Sequence, residues 1–130
     1  MEHINWWAMI AAALSAFLLG GIWYGPLFKH AWCREAGVDP DKAPRHPARI
    51  FAIAIACSLF AAFTFAWFLG PQPALAKALH AGVMIGVSWV AMSFGINYAF
   101  AQRSLKLWLI DAGYHVLQFT LYGLILGLWH

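Results

Sequence analysis

The chain is poor in charge: of its 130 residues only 10% are Asp, Glu, Lys or Arg, and only five are acidic. A soluble domain of this size leaves much of its chain in water and needs more polar side chains to cover it. Cysteine is nearly absent, with Cys33 and Cys57 alone, so there is no disulfide framework, and their spacing fits no metal motif. No Lys or Arg precedes the first apolar stretch, where Glu2 and His3 stand instead. That stretch is also too long for a secretory signal and reads as a retained span. There is no Gly-x-Ser-x-Gly elbow, no phosphate-binding glycine loop and no His-Glu-x-x-His helix, which removes the enzyme classes those motifs mark. The basic residues are too scattered, and too close to the ends of apolar stretches, to form a nucleic-acid surface.

What is present is apolar. Hydrophobic residues make up 63% of the chain and the mean hydropathy is strongly positive. Crossing a bilayer core of about 30 Å takes about 20 helical residues. Four stretches are long enough: Ile4 to Tyr24, Ala48 to Leu69, Leu75 to Phe100 and Leu105 to Leu128. The expected fold is therefore all-α, one domain of four transmembrane helices over residues 1–130, with the lipid bilayer as its first partner. GPQP (70–73) and AQRS (101–104) are short breaks, which makes spans two, three and four successive antiparallel hairpins. The longer first connection opens with LFKHAWCREAG and continues as VDPDKAPRHP. It predicts a short interfacial helix closed by Gly37, then a Pro-rich turn back into the membrane.

Lys29, Arg34, Lys42, Arg45 and Arg49 surround the first loop and Arg103 and Lys106 the third, whereas only Lys77 lies near the second. The positive-inside rule then places loops one and three in the cytoplasm and both termini outside, in a bacterial inner (plasma) membrane. The eight Trp and four Tyr mostly fall at span edges, as aromatic belts do. Trp89 and Tyr114 lie deeper.

The polar residues inside the spans carry the functional question. At 1.5 Å of rise per residue, Asn97 lies about 5 Å from the inner surface, Asp111 and Ser93 about 10 Å, and His115 about 15 Å. Asp111, His115, Gln118 and Tyr122 share one stripe of span four, while Gly82, Gly86, Ser93 and Asn97 share one stripe of span three. Polar groups exposed to lipid cost several kcal/mol, roughly, so these stripes are expected to face each other. Gly82-x-x-x-Gly86 and Gly123-x-x-x-Gly127 predict close helix packing. Four short helices have few internal neighbours, so a homodimer or higher homo-oligomer is expected.

The stretches GGIWYGPLFKHAW (20–32) and NYAFAQRSLKLWLIDAGYH (97–115) resemble the signature of a family of small four-span membrane proteins, the domain of unknown function numbered 1761. The resemblance covers nearly the whole chain. It implies four spans and no activity, and it implies Asn or Asp at position 111. A shorter internal echo, GIWYG (21–25) and GINYA (95–99), ends a span on the cytoplasmic side each time and suggests two parallel halves.

Three classes of function stay open. The polar stripe of Asp111, His115, Gln118, Tyr122, Ser93 and Asn97 suits an oligomeric channel, transporter or binding protein for a small solute or ion. Alternatively, the protein is structural or accessory and its polar residues only hold helices together, with Asp111 bonded to Ser93 or Asn97, or paired with Arg103 or Lys106. A membrane enzyme or redox subunit is the third class. No cofactor and no metal is expected: His80 and His115 lie at uneven depths for one haem iron, and the other histidines sit at opposite edges.

Thiol labelling checks this topology. With Cys33 and Cys57 replaced by Ser, a cysteine at Lys42 and one at Gln72 are expected to react from opposite sides of the membrane. Reaction of both from one side overturns the four-span order.

Overall fold

A computed structural model describes residues 4–42 and 46–129. Glu2, His3 and Arg45, used above, lie outside the described residues. Helix α1 runs over Trp6–Ile22 and passes into a π-helical turn, Trp23–Leu27. Helix α2 is Lys29–Ala36 and α3 is Pro47–Leu69. The third stretch is α4, Leu75–Met84, a π-helical segment, Ile85–Val90, and α5, Ala91–Phe100. Helix α6 is Leu105–Leu128. Among the described residues there are no strands, and four helical stretches, Trp6–Leu27, Pro47–Leu69, Leu75–Phe100 and Leu105–Leu128, are long and apolar enough to cross a membrane.

Local chemistry sets these boundaries. The Asn5 side chain accepts from the Ala8 N–H at 3.1 Å, and Ser104 Oγ accepts from the Leu107 N–H at 3.1 Å, capping α1 and α6. Pro47 stands in the first turn of α3, where its missing N–H costs nothing. Gly37 and Gly70 close α2 and α3 with φ of 76° and 80°, a backbone that residues with a Cβ rarely adopt. The first span runs three residues past the expected Tyr24 because the π turn carries Pro26 inside it. The Phe28 N–H bonds the Trp23 carbonyl five residues back, at 2.9 Å. Pro26 has no N–H to offer such a ladder, so the wider turn passes it.

Helix α6 is the hub. It packs most extensively on α4, then on α1, the 85–90 segment, α5 and α2. Helix α3 leans on α1 and barely reaches α6. The order is therefore α3, α1, α6, then α4 and α5, with a cleft between α3 and the third span. The Asn5 amide donates to the Trp129 carbonyl at 3.1 Å, tying the start of α1 to the end of α6. Because α1 meets α6 closely while α3 and α4 do not meet in the same way, the two halves are not related by a simple two-fold.

Close packing rests on small side chains. Ala8, Ala12, Ala13 and Ala16 of α1 and Ala62 and Ala66 of α3 are buried, beside Phe65, Leu69, Tyr122 and Leu126. A Cβ at Gly82 would stand 2.2 Å from the Phe119 carbonyl oxygen, and one at Gly123 would stand 2.3 Å from that of Ala78. Gly86 and Gly127 approach Val116 and Leu75 nearly as tightly. These are backbone-to-backbone approaches between α6 and the third span, which no side chain can relieve by rotating. Only 17% to 33% of each span's most apolar window is buried within the chain; the rest is left for lipid or another copy.

Gly82→Ala and Gly123→Ala are each expected to destabilise the fold by about 1–3 kcal/mol or more. Gly21→Ala, where the added methyl meets open space, is expected to be neutral or stabilising by up to about 1 kcal/mol. Denaturation in mixed micelles measures both, and equal effects at all three sites would remove the close approach.

Candidate functional site

Asp111 sits in the second turn of α6, 9% exposed, and both its oxygens accept hydrogen bonds. Oδ1 accepts from the Tyr24 hydroxyl at 2.6 Å and from the Trp32 indole N–H at 3.1 Å. Oδ2 accepts from the Tyr98 hydroxyl. Three elements thus converge on one carboxylate: the π turn after α1 supplies Tyr24, α2 supplies Trp32 and α5 supplies Tyr98. The Tyr24 and Trp32 rings meet edge to face at 5.7 Å, an arrangement that also suits their quadrupoles. Tyr24 and Tyr98 are the fourth residues of the echoed GIWYG and GINYA, and they hold the two oxygens of the same group.

The partners expected for Asp111 are elsewhere. Ser93 and Asn97 are exposed and border a shallow cleft with Trp89, Val90 and Phe94. Arg103 reaches the Ala36 carbonyl instead, at 3.4 Å, and Lys106 is exposed. The cause is the π-helical segment Ile85–Val90. A regular helix would carry the inward face from Gly86 to Val90 and on to Asn97. The wider turns delay it by one residue, so Gly86, Ala91 and Tyr98 face α6 in place of Gly86, Ser93 and Asn97.

His115, Gln118 and Tyr122 form a second network one turn further in. His115 Nδ1 meets Gln118 Oε1 at 2.5 Å, and the Gln118 amide donates to the Tyr122 hydroxyl at 2.8 Å. The Tyr122 and Ser58 hydroxyls are 2.6 Å apart, and Ser58 Oγ lies 3.0 Å from the Ala13 carbonyl. That carbonyl only accepts, so the Ser58 hydroxyl donates to it, and the Tyr122 hydroxyl, which also lies 3.2 Å from the Ser58 carbonyl, donates to Ser58. Every hydrogen in the chain then points from His115 toward Ala13. Tyr122 is fully buried, and the chain ends on a backbone oxygen of α1. An amide link and a terminal carbonyl make this a bracket joining α6, α3 and α1; neither group passes a proton onward.

Three tryptophans that read as belt residues are interior brackets as well. Trp23 donates to the Ile110 carbonyl at 2.9 Å and Trp108 to the Ala91 carbonyl at 2.9 Å, while Trp32 holds Asp111. Gly113 and Gly95 make room for the first two, with Trp23 and Trp108 ring atoms 3.2 and 3.3 Å from where a Cβ would stand. Tyr114 donates to the Ala16 carbonyl at 2.8 Å. Glycines facing the sequence neighbourhood of tryptophans were the available signal, but nothing in a single sequence pairs position 23 with 113 or 95 with 108. Trp89, by contrast, is 64% exposed.

Above Asp111 and His115 lies a cavity of about 820 Å³. Its buried and half-buried lining, Tyr24, Trp32, Cys33, Phe94, Asp111 and His115, forms the inner part, and the exposed Lys29, Asp39, Asp41 and Lys42 the mouth. Phe94 stacks on the His115 ring at 4.9 Å. The size suits a small organic ligand. Among the described residues no three His, Cys, Asp or Glu side chains gather as metal ligands do.

The family described as "Protein of unknown function (DUF1761)" matches the chain over residues 7–127, and the chain belongs to it. No curated protein and no solved structure matches.

Tyr122→Phe removes the hydroxyl that links Gln118 to Ser58 and is expected to destabilise the protein by about 1–3 kcal/mol. Ser93→Ala is expected to stay within about 0.5 kcal/mol, as surface changes do. Denaturation in mixed micelles compares them; a large loss at Ser93 would put that residue back in the interior.

Proposed function

We propose that this four-span protein is a membrane-embedded binder of a small molecule, held in the cavity at the first-loop end, and that it conducts nothing across the bilayer. The observation that carries the reading is the pairing of that cavity with the polar chain beneath it. The cavity is large, and its deepest residues, Asp111 and His115, are polar; yet from His115 inward the hydrogen bonds run to the Ala13 carbonyl and stop. A permeation path needs polar groups or water along its whole length, whereas the far half of the bundle is filled by buried Ala, Phe and Leu side chains. The seven-to-one split of basic residues supports a cytoplasmic first loop in the inner membrane, with α2 at the interface above the cavity. The largely unburied span surfaces support a homodimer.

A second reading, a structural or accessory protein, has its own support. Among the described residues no buried side-chain nitrogen or oxygen lacks a hydrogen-bond partner. Such complete pairing is what helix brackets alone would give.

Native mass spectrometry of gently solubilised protein separates the two, since it weighs chains and ligand together. A small-molecule adduct on the wild-type chain, with no proton or ion flux in proteoliposomes, is the expected result. Flux that disappears in His115→Ala overturns the non-conducting reading. A bare chain, with substitutions at Asp111 and His115 lowering only thermal stability, favours the accessory role.

A further inference from the structure

Apart from the weak donor of the buried Cys33 thiol, the inner part of the cavity offers hydrogen-bond acceptors and no free donors. The Tyr24 and Tyr98 hydroxyls and the Trp32 N–H are all spent on Asp111. A carboxylate has room for about four hydrogen bonds; Oδ1 takes two and Oδ2 one, which leaves a place on Oδ2. His115 is turned the same way. The direction of the chain below it puts its Nδ1 hydrogen on Gln118, and in the neutral ring this leaves Nε2 as an acceptor. Nε2 has no hydrogen-bond partner among the described residues, and no fully buried polar side-chain atom there lacks one, so Nε2 is not sealed off, and His115 lines the cavity.

Charge agrees with this polarity. All three partners of Asp111 are neutral, and among the described residues the ion-pair geometry is met by Arg34 and Glu35, not by Asp111. Two lysines and three carboxylates line the cavity as a whole, an excess of one negative charge, and the lysines belong to its mouth. The rings of Tyr24, Trp32 and Phe94 line the cavity beside the carboxylate, and aromatic rings attract cations. A hard metal ion needs several oxygen ligands, and Asp111 is the one carboxylate at this depth.

We propose that the cavity takes an organic cation, an ammonium group on an apolar or aromatic body. Its N–H groups bond Asp111 Oδ2 and His115 Nε2, and its carbon skeleton lies against Tyr24, Trp32 and Phe94. This rests on the small-molecule reading above. A ligand whose polar end is a carboxylate would meet two acceptors there and no donor beyond that thiol, and a neutral alcohol would gain one hydrogen bond and no charge pairing.

Phenethylammonium, 2-phenylethanol and phenylacetate share one skeleton and differ in that end. Titrated against the detergent-solubilised protein by native mass spectrometry, phenethylammonium is expected to bind at least about tenfold tighter than 2-phenylethanol, the equivalent of one charged hydrogen bond. Phenylacetate is expected not to bind. Asp111→Asn is expected to erase the preference for the cation while leaving 2-phenylethanol within about threefold of its original affinity. Because Asp111 also joins four elements, Phe94→Leu is the companion variant; it spares the carboxylate and is expected to weaken phenethylammonium by about threefold or more. Equal binding of alcohol and ammonium overturns the cation assignment and leaves the pocket standing, as does tighter binding of phenylacetate. Failure of all three probes overturns pocket and assignment together.

Discussion

A carboxylate placed among helices in lipid must be surrounded by donors or it will not stay there. Asp111 meets that demand with a phenol from the turn after α1, an indole from α2 and a second phenol from α5. Much else at this end of the protein follows from bringing those three groups to one point. The π turn around Pro26 aims Tyr24, and α2 folds back over the start of α6 so that Trp32 arrives from the loop side. The π segment Ile85–Val90 rotates α5 until Tyr98, and not Asn97, faces inward. The use of aromatic donors keeps the surroundings apolar while satisfying both oxygens, and it leaves Asp111 outside any ion pair among the described residues.

The four spans were legible in the sequence because length and hydropathy are local properties, and spans three and four pack as the expected hairpin; spans two and three do not, since α3 lies against α1 and a cleft separates it from the third span. So was the stripe on α6: Asp111, Gln118 and Tyr122 are buried and His115 nearly so, since α6 is a regular helix and a step of 100° per residue holds along it. The same projection misplaces Ser93 and Asn97, because ahead of them, over Ile85–Val90, the helix widens and the phase slips by one position. No residue in IGVSWV announces that. The donors to Asp111 were equally hidden. Tyr24, Trp32 and Tyr98 sit where interfacial aromatics ordinarily sit, and only their orientation, set by two π turns and a short helix, separates a bracket from a belt.

The two polar networks on α6 differ in what they leave over. The inner one is closed: His115, Gln118, Tyr122 and Ser58 hand each hydrogen to the next group and finish on a carbonyl, so its consequence is rigidity among α1, α3 and α6. The outer one is complete for structure but unbalanced in charge, and it borders a cavity. A closed network and one with a free acceptor thus lie along one helix within about three turns. The close approaches at Gly82 and Gly123 hold that helix against the third span, which keeps the two networks in register.

Helix α6 lies between α1 and the third span, yet it is the fourth span to be made. Tyr24, Trp32 and Tyr98 are all synthesised before Asp111, and Ala13 and Ser58 before Tyr122. Until α6 enters, the earlier helices carry hydroxyls and an indole prepared for an acceptor that has not arrived, and the slot they frame stands open to lipid. Insertion of the fourth span therefore closes the bundle, neutralises those donors and creates the cavity floor in one event, so that a chain halted before it has neither a finished fold nor a partial site.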